Sequence, residues 1–266
     1  MRRMISGLDS ARLKLIRAAE HIDSVVNSIG AYSGSEPHEI TMNADGKETV
    51  HVQILPPPEI SVTVGETIYQ IRSALDHLAF DLVKLNTRKI TLPDDWSEHC
   101  LFPLKLCIPT ACNGNTPVPY KYFEKALPGI SIHAFEFIES LQPYYRRNAA
   151  NVMRLLAELS NIDKHRHLNL TPPRIGRLQV VRSSKGTTHS AYDTMRSGAK
   201  LEPLLPAGEM TNTLDMQRCF STFVTFDESA LGAGPDTLSV EEILKACFDT
   251  VKGIVVPAFE KFLEKS

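Results

Sequence analysis

The chain has 266 residues, a formal net charge of −2, and 42% apolar against 23% charged residues. That composition is globular, long enough to bury a core without disulfides, and lacks the basic excess that broad coating of nucleic acid requires. No apolar run has the length of a membrane span, and no apolar signal core follows Met1-Arg2-Arg3, so a cytoplasmic protein with no membrane partner is expected. The cysteines (100, 107, 112, 219 and 247) are odd in number and form no Cys-x-x-Cys pair, which points to reduced thiols rather than a disulfide framework or a zinc knuckle.

Taken in chain order, Leu8, Leu15, Ala19, Ile22, Val26 and Ile29 recur at helical spacing and predict a first helix over about 8–33, with Gly34 as its stop. The period then changes. Ile40 and Met42 alternate with polar neighbours, as do Val50, Val52 and Ile54, and Asp45-Gly46 lies between them, which reads as a β-hairpin over 38–55. Pro56-Pro57-Pro58 ends the strand. Ile68, Ile71, Leu75, Leu78, Leu82 and Leu85 then mark a second helix over about 60–86. A long irregular connection follows over 87–120, expected to pack around Trp96, Leu101 and Phe102. Short helices are expected over 120–126 and 131–141. The next begins near Asn148, turns Val152, Leu155, Leu156, Leu159 and Ile162 inward, and ends near 167, before Pro172-Pro173.

Residues 174–228 read as β-rich, with strands at 178–181, 201–205 and 219–226. Ser239-Val240-Glu241-Glu242 is a capping-box pattern that opens a last helix over 239–264. That helix carries Val240, Ile243, Leu244, Cys247, Val251, Ile254 and Val255 on its core face and should kink at Pro257. The expected fold is a single α+β domain spanning 1–266, a bundle of four to five main helices with a small antiparallel sheet.

Two polar stretches interrupt this ordinary pattern. Arg72-Ser73-Ala74-Leu75-Asp76-His77 lies on the second helix, and Asn161-Ile162-Asp163-Lys164-His165-Arg166-His167 ends the helix that begins near Asn148. An arginine can grip a phosphate with its fork of N–H donors and stabilise charge building there, and a histidine can move a proton at neutral pH, with no metal required. The candidate catalytic residues are therefore Arg72, His77 and His165. Ser73, Asp76, Asn161, Asp163, Lys164 and Arg166 are candidate phosphate-binding or supporting residues. Five residues on a regular helix separate Arg72 and His77 by about 140°, so a straight helix cannot aim both at one phosphate. A site would need a contribution from 161–168 or from a second subunit. The structural alternative pairs Arg72 with Asp76 at i,i+4 and bonds His77 to Ser73 or Asp81 one turn away. The second Arg-to-His spacing, Arg182 to His189, has no helical pattern around it and reads as coincidence.

The Arg72-x4-His77 spacing resembles the Arg-x(4–6)-His signature of the HEPN superfamily, helical bundles that include metal-independent ribonucleases and toxins. The joint pattern of Arg72–Ala79, Phe102-Pro103, Leu141–Tyr144 and Leu155–Arg166 also resembles a widespread group of bacterial and phage proteins with no assigned activity. The resemblance implies a dimeric, cofactor-free protein that cleaves or binds RNA in stress response or phage defence. Arg72 would then bind phosphate and His77 would act as general acid or base. Two other functions stay open. One is a non-catalytic interaction protein whose charges form a polar network between helices. The other is a metal-dependent hydrolase using His77, Asp163, His165 and His167.

Overall fold

A computed structural model describes residues 6–44, 46–87, 102–103, 127–128, 131–144, 147–165, 170–183, 188–196, 198–201, 213–226 and 239–264. The fold is α+β. In order it comprises α1 (Gly7–Gly34), β1 (His38–Met42), β2 (Glu48–Val52), α2 (Pro58–Thr87), α3 (Ile132–Ser140), α4 (Arg147–His165), β3 (Leu170–Ser183), β4 (Thr188–Met195), β5 (Ala199–Lys200), β6 (Thr213–Phe226), α5 (Val240–Thr250), a π-helical turn (Val251–Val255) and α6 (Val256–Glu264). Trp96, Leu101, Cys100, Cys107, Cys112, the expected helix at 120–126 and residues 202–205 lie outside the described residues.

Contacts group the chain into two compact units. The first comprises residues 1–24, 62–168 and 241–266, and the second 25–61 and 169–240. In the first unit the apolar stripe of α2 (Ile68, Ile71, Leu75, Leu78 and Leu82) is almost fully buried, as helical spacing of large aliphatic residues requires. Helix α1 lies antiparallel to α2. Its Leu8 N–H, Ser10, Lys14 and His21 meet Asp81, His77, Tyr69 and Glu66, so one numbering rises as the other falls. The buried face of α1 carries Ala11, Leu15, Ala18 and Val25, whereas Val26, expected inside, is 43% exposed. Ser6 caps α1 by accepting the Asp9 N–H at 3.0 Å, and its hydroxyl donates to the Asp9 carboxylate at 2.8 Å. Gly34 remains helical, and Glu36 takes the left-handed conformation beyond it (φ 51°).

The last helix does not simply kink at Pro257. Proline has no N–H to offer the carbonyl four residues back, and the helix widens to a π turn just before it. The Val256 N–H reaches back five residues to the Val251 carbonyl. The wide turn rotates the following face. Ile254, expected inside, is 49% exposed, while Val251, Val255 and Phe259 are fully buried. Phe259 then packs among Phe102, Phe137 and Phe262, with ring centroids 6.1–6.2 Å away. Cys247 is buried on α5, its thiol donates to the Val152 carbonyl on α4, and burial pushes its pKa up to about 12. This is an unreactive structural thiol.

The second unit holds two three-stranded sheets, ordered β1-β2-β5 and β4-β3-β6, with neighbouring strands antiparallel. The hairpin forms where expected. The strand expected at 178–181 extends over Leu170–Ser183, and β6 begins at Thr213, before the expected Cys219. Strand β5 lies just before Leu201, where the second strand was expected. Pro172-Pro173 sits in β3 at a register shift between Thr171 and Arg174, because neither proline can donate to the ladder. The Arg182–His189 spacing spans the β3–β4 connection, with Arg182 opposite Thr188 and Val181 opposite His189. Val50, Ile175 and Met195 form the core of this unit, with Val52, Ala199, Leu201 and Phe220 packed on it.

Gly7 tests the docking of α1. A Cβ there would lie 2.5 Å from both Asp81 Cγ and the His77 carbonyl oxygen, and one of them is backbone. Gly7→Ala is expected to lower unfolding free energy by about 1–3 kcal/mol, read by urea denaturation, as overpacking at a rigid contact does. Ala at Gly30, where a Cβ meets nothing within 4 Å, is expected to be neutral or stabilising in the same assay.

Candidate functional site

Arg72 and Asp76 pair across one turn of α2 at 3.2 Å, with side chains 13% and 21% exposed. Both also bond a single residue of a distant segment. Arg72 donates to the Phe102 carbonyl, and the Phe102 N–H donates to Asp76 Oδ1 at 2.9 Å. Both backbone polar groups of Phe102 are thereby satisfied while its ring is fully buried. The neighbouring Pro103 carbonyl accepts from Gln142 Nε2 at 2.8 Å, and the same amide donates to the Ile138 carbonyl at 3.0 Å. Gln142, beyond the end of α3, is itself fully buried. Three polar side chains thus clamp one dipeptide. Burial raises the Asp76 carboxyl above its ordinary range, although Arg72, the Phe102 N–H, Lys164 and His77 each act in the opposite direction.

His77 faces elsewhere. Its Nδ1 lies 2.7 Å from the Ser10 hydroxyl on α1. The expected bond to Ser73 or Asp81 is replaced, because antiparallel α1 brings Ser10 against the ring and gives Asp81 another task. Asp81 accepts the Leu8 N–H at 3.0 Å, one of the donors that the first turn of a helix leaves without an intrahelical partner. Ser73 is half-buried on α2 between these two edges.

At the end of α4, Asn161, Asp163 and Lys164 are exposed. The Asp163 carboxylate nonetheless presses on α2 at Gly65, where a Cβ would overlap its oxygen. Loss of water at that contact raises the Asp163 carboxyl, and Lys164 partly offsets the rise. The Lys164 charge also acts on Asp76, which places the two polar stretches in one neighbourhood. His165 is the last residue of α4; its side chain, with Arg166 and His167, lies outside the described residues. Among the described residues no group of three His, Cys, Asp or Glu side chains could hold a metal. No described helix is long and apolar enough to cross a membrane.

The structure therefore joins Arg72 to Asp76, sets Lys164 nearby, and turns His77 to a different helix. Ser10 and Gly65 carry no signal in the sequence that marks them as partners of these stretches. Ser6-x-x-Asp9 is a capping signal that marks the first turn of α1, but no local pattern indicates which helix that turn meets. Comparison with known proteins adds no identity: no family model fits the chain, and no curated protein or solved structure matches it.

The raised Asp76 carboxyl has a definite consequence for stability. Its folded pKa lies above the unfolded value, so between the two the folded state binds more protons and stability falls as pH rises. The advantage of wild type over Asp76→Asn should be fully present below about pH 3.8 and shrink as pH climbs from there through the folded-state pKa. Urea denaturation of both proteins across this range checks it; an advantage that grows with pH would contradict the assignment.

Proposed function

We propose that the chain is an interaction protein in which Arg72, Asp76 and Gln142 fasten the connection between α2 and α3 to the helical unit. The carrying observation is that the N–H and C=O of Phe102 are taken by Asp76 and Arg72. Charges committed to a buried peptide act as structure, not as a phosphate grip. The sequence between α2 and α3 is proline-rich, with Pro93, Pro103, Pro109, Pro117 and Pro119, and long connections on a rigid scaffold are common places for recognition.

A second reading is HEPN-like RNA binding or metal-independent cleavage by a homodimer, with Arg72 on phosphate, His77 as acid or base, and His165 and Arg166 adding positive field. One observation favours it: the charge of exposed Lys164 reaches Asp76, so the two polar stretches share a neighbourhood.

Thermal melts and a ribonuclease assay on the same variants separate the two. For the anchoring role, Arg72→Ala should cost about 3 kcal/mol by leaving Asp76 buried without its partner. That corresponds to a melting temperature lower by on the order of 5–10 °C. Arg72→Lys should rescue little, since an ammonium cannot reproduce the fork. Wild type should leave RNA intact. RNA cleavage abolished by Arg72→Ala or His77→Ala at unchanged melting temperature would overturn the anchoring role and establish the second reading.

A further inference from the structure

The Ser10–His77 contact is not needed by the clamp at Phe102, and its chemistry differs from the clamp's. A serine hydroxyl lies 2.7 Å from an imidazole nitrogen, and both residues are half-buried, neither sealed from solvent nor freely hydrated. That distance is within the reach expected of a nucleophile and its base. Two different helices hold the partners. The α1 side is fixed by the Ser6 cap and by the Leu8 N–H on Asp81, and the α2 side by its buried stripe. Three carboxylates border this corner, two of them paired with arginines, Asp76 with Arg72 and Asp9 with Arg12. Asp81 lies one turn from His77 and against Gly7, Asp76 interacts electrostatically with His77, and Asp9 precedes Ser10 and pairs with Arg12 at 3.6 Å. Acidic neighbours repel anions.

We propose that Ser10 is a nucleophile activated by His77, and that it takes an acyl group from uncharged or cationic activated esters and not from anionic phosphates. In the step, Ser10 Oγ bonds to the carbonyl carbon as its proton passes to His77 Nδ1, and the carbonyl π pair moves onto oxygen. The tetrahedral adduct collapses, the ester C–O bond breaks, and the leaving alkoxide takes the proton back from His77. The products are acyl-Ser10 and an alcohol. Base function requires the tautomer with the proton on Nε2, the form in which Ser10 donates to Nδ1.

The test uses the full chain with p-nitrophenyl acetate, a neutral activated ester, and follows the adduct by intact mass and peptide mapping. Wild type should gain one acetyl group, mapped to Ser10. Ser10→Ala should gain none there, and His77→Gln should acylate roughly 100-fold more slowly, the scale of a positioned base. p-Nitrophenyl phosphate should leave no adduct on Ser10. No Ser10 adduct in wild type, equal rates in folded His77→Gln, or preferential labelling by the phosphate would overturn the proposal. If His77→Gln does not fold, the pH profile of wild-type acylation decides. A rate that falls on acidification, as an imidazole base takes its proton, supports the pair, and a flat profile refutes it.

Discussion

An arginine and a carboxylate drawn out of water need more than each other, and the way this pair is completed organises the helical unit. Desolvation of two charges is repaid only when their remaining donors and lone pairs also find partners. Arg72 and Asp76 find them in the C=O and N–H of one residue, Phe102. The exchange is reciprocal. A peptide carried into an apolar interior would otherwise strand a donor and an acceptor at a cost of about 1–3 kcal/mol each. With both satisfied, the Phe102 ring can enter the core beside Phe259, and Phe259 in turn meets Phe137 and Phe262. Gln142 repeats the arrangement one residue on, tying Pro103 to the end of α3. One dipeptide therefore links α2, α3 and α6, three elements far apart in sequence.

Helix α2 can serve as this hub because its polar edges flank a dry stripe. Ile71, Leu75, Leu78 and Leu82 fill the stripe. On one edge Arg72 and Asp76 hold the Phe102 peptide. On another, His77 and Asp81 receive the first turn of α1. Gly65 provides a third contact by having no side chain, which lets the Asp163 carboxylate of α4 approach the helix backbone closely. The π turn before Pro257 serves the same core from the opposite end of the chain. Without the extra residue in that turn, Phe259 would rotate by about 100° away from the aromatic group.

Periodicity exposed the helices because it is a local property. The stripes of α2 and α4, the capping pattern at Ser239 and the Asp45-Gly46 hairpin all mark elements that the structure contains. Misplacements arose where a non-local or unusual backbone choice prevailed. Val26 yielded the inner face to Val25, Ile254 was rotated out by a π turn, and the two prolines in β3 were absorbed by a register shift that a partner strand makes possible. At the polar stretches, sequence identified the i,i+4 pairing of Arg72 with Asp76 and the divergence of Arg72 from His77. It did not identify Phe102 or Ser10 as partners, since the bonded residues lie 30 and 67 positions apart in the chain.

The Arg72–His77 spacing can then be understood as two attachments made by one helix. A separation of five residues turns the second side chain about 140° from the first, which suits a helix with neighbours on two sides better than one gripping a single small group. Arg72 and Asp76, four apart, share a face and act together; His77 and Asp81, also four apart, share another and do the same. The first pair is spent on a buried peptide. The second pair divides its work: Asp81 holds a backbone N–H, while His77 meets a hydroxyl that can both give and accept a proton. His77 thus has a partner, Ser10, that could itself react. That partner lies on the α1 edge of the helix, about 140° around from Arg72.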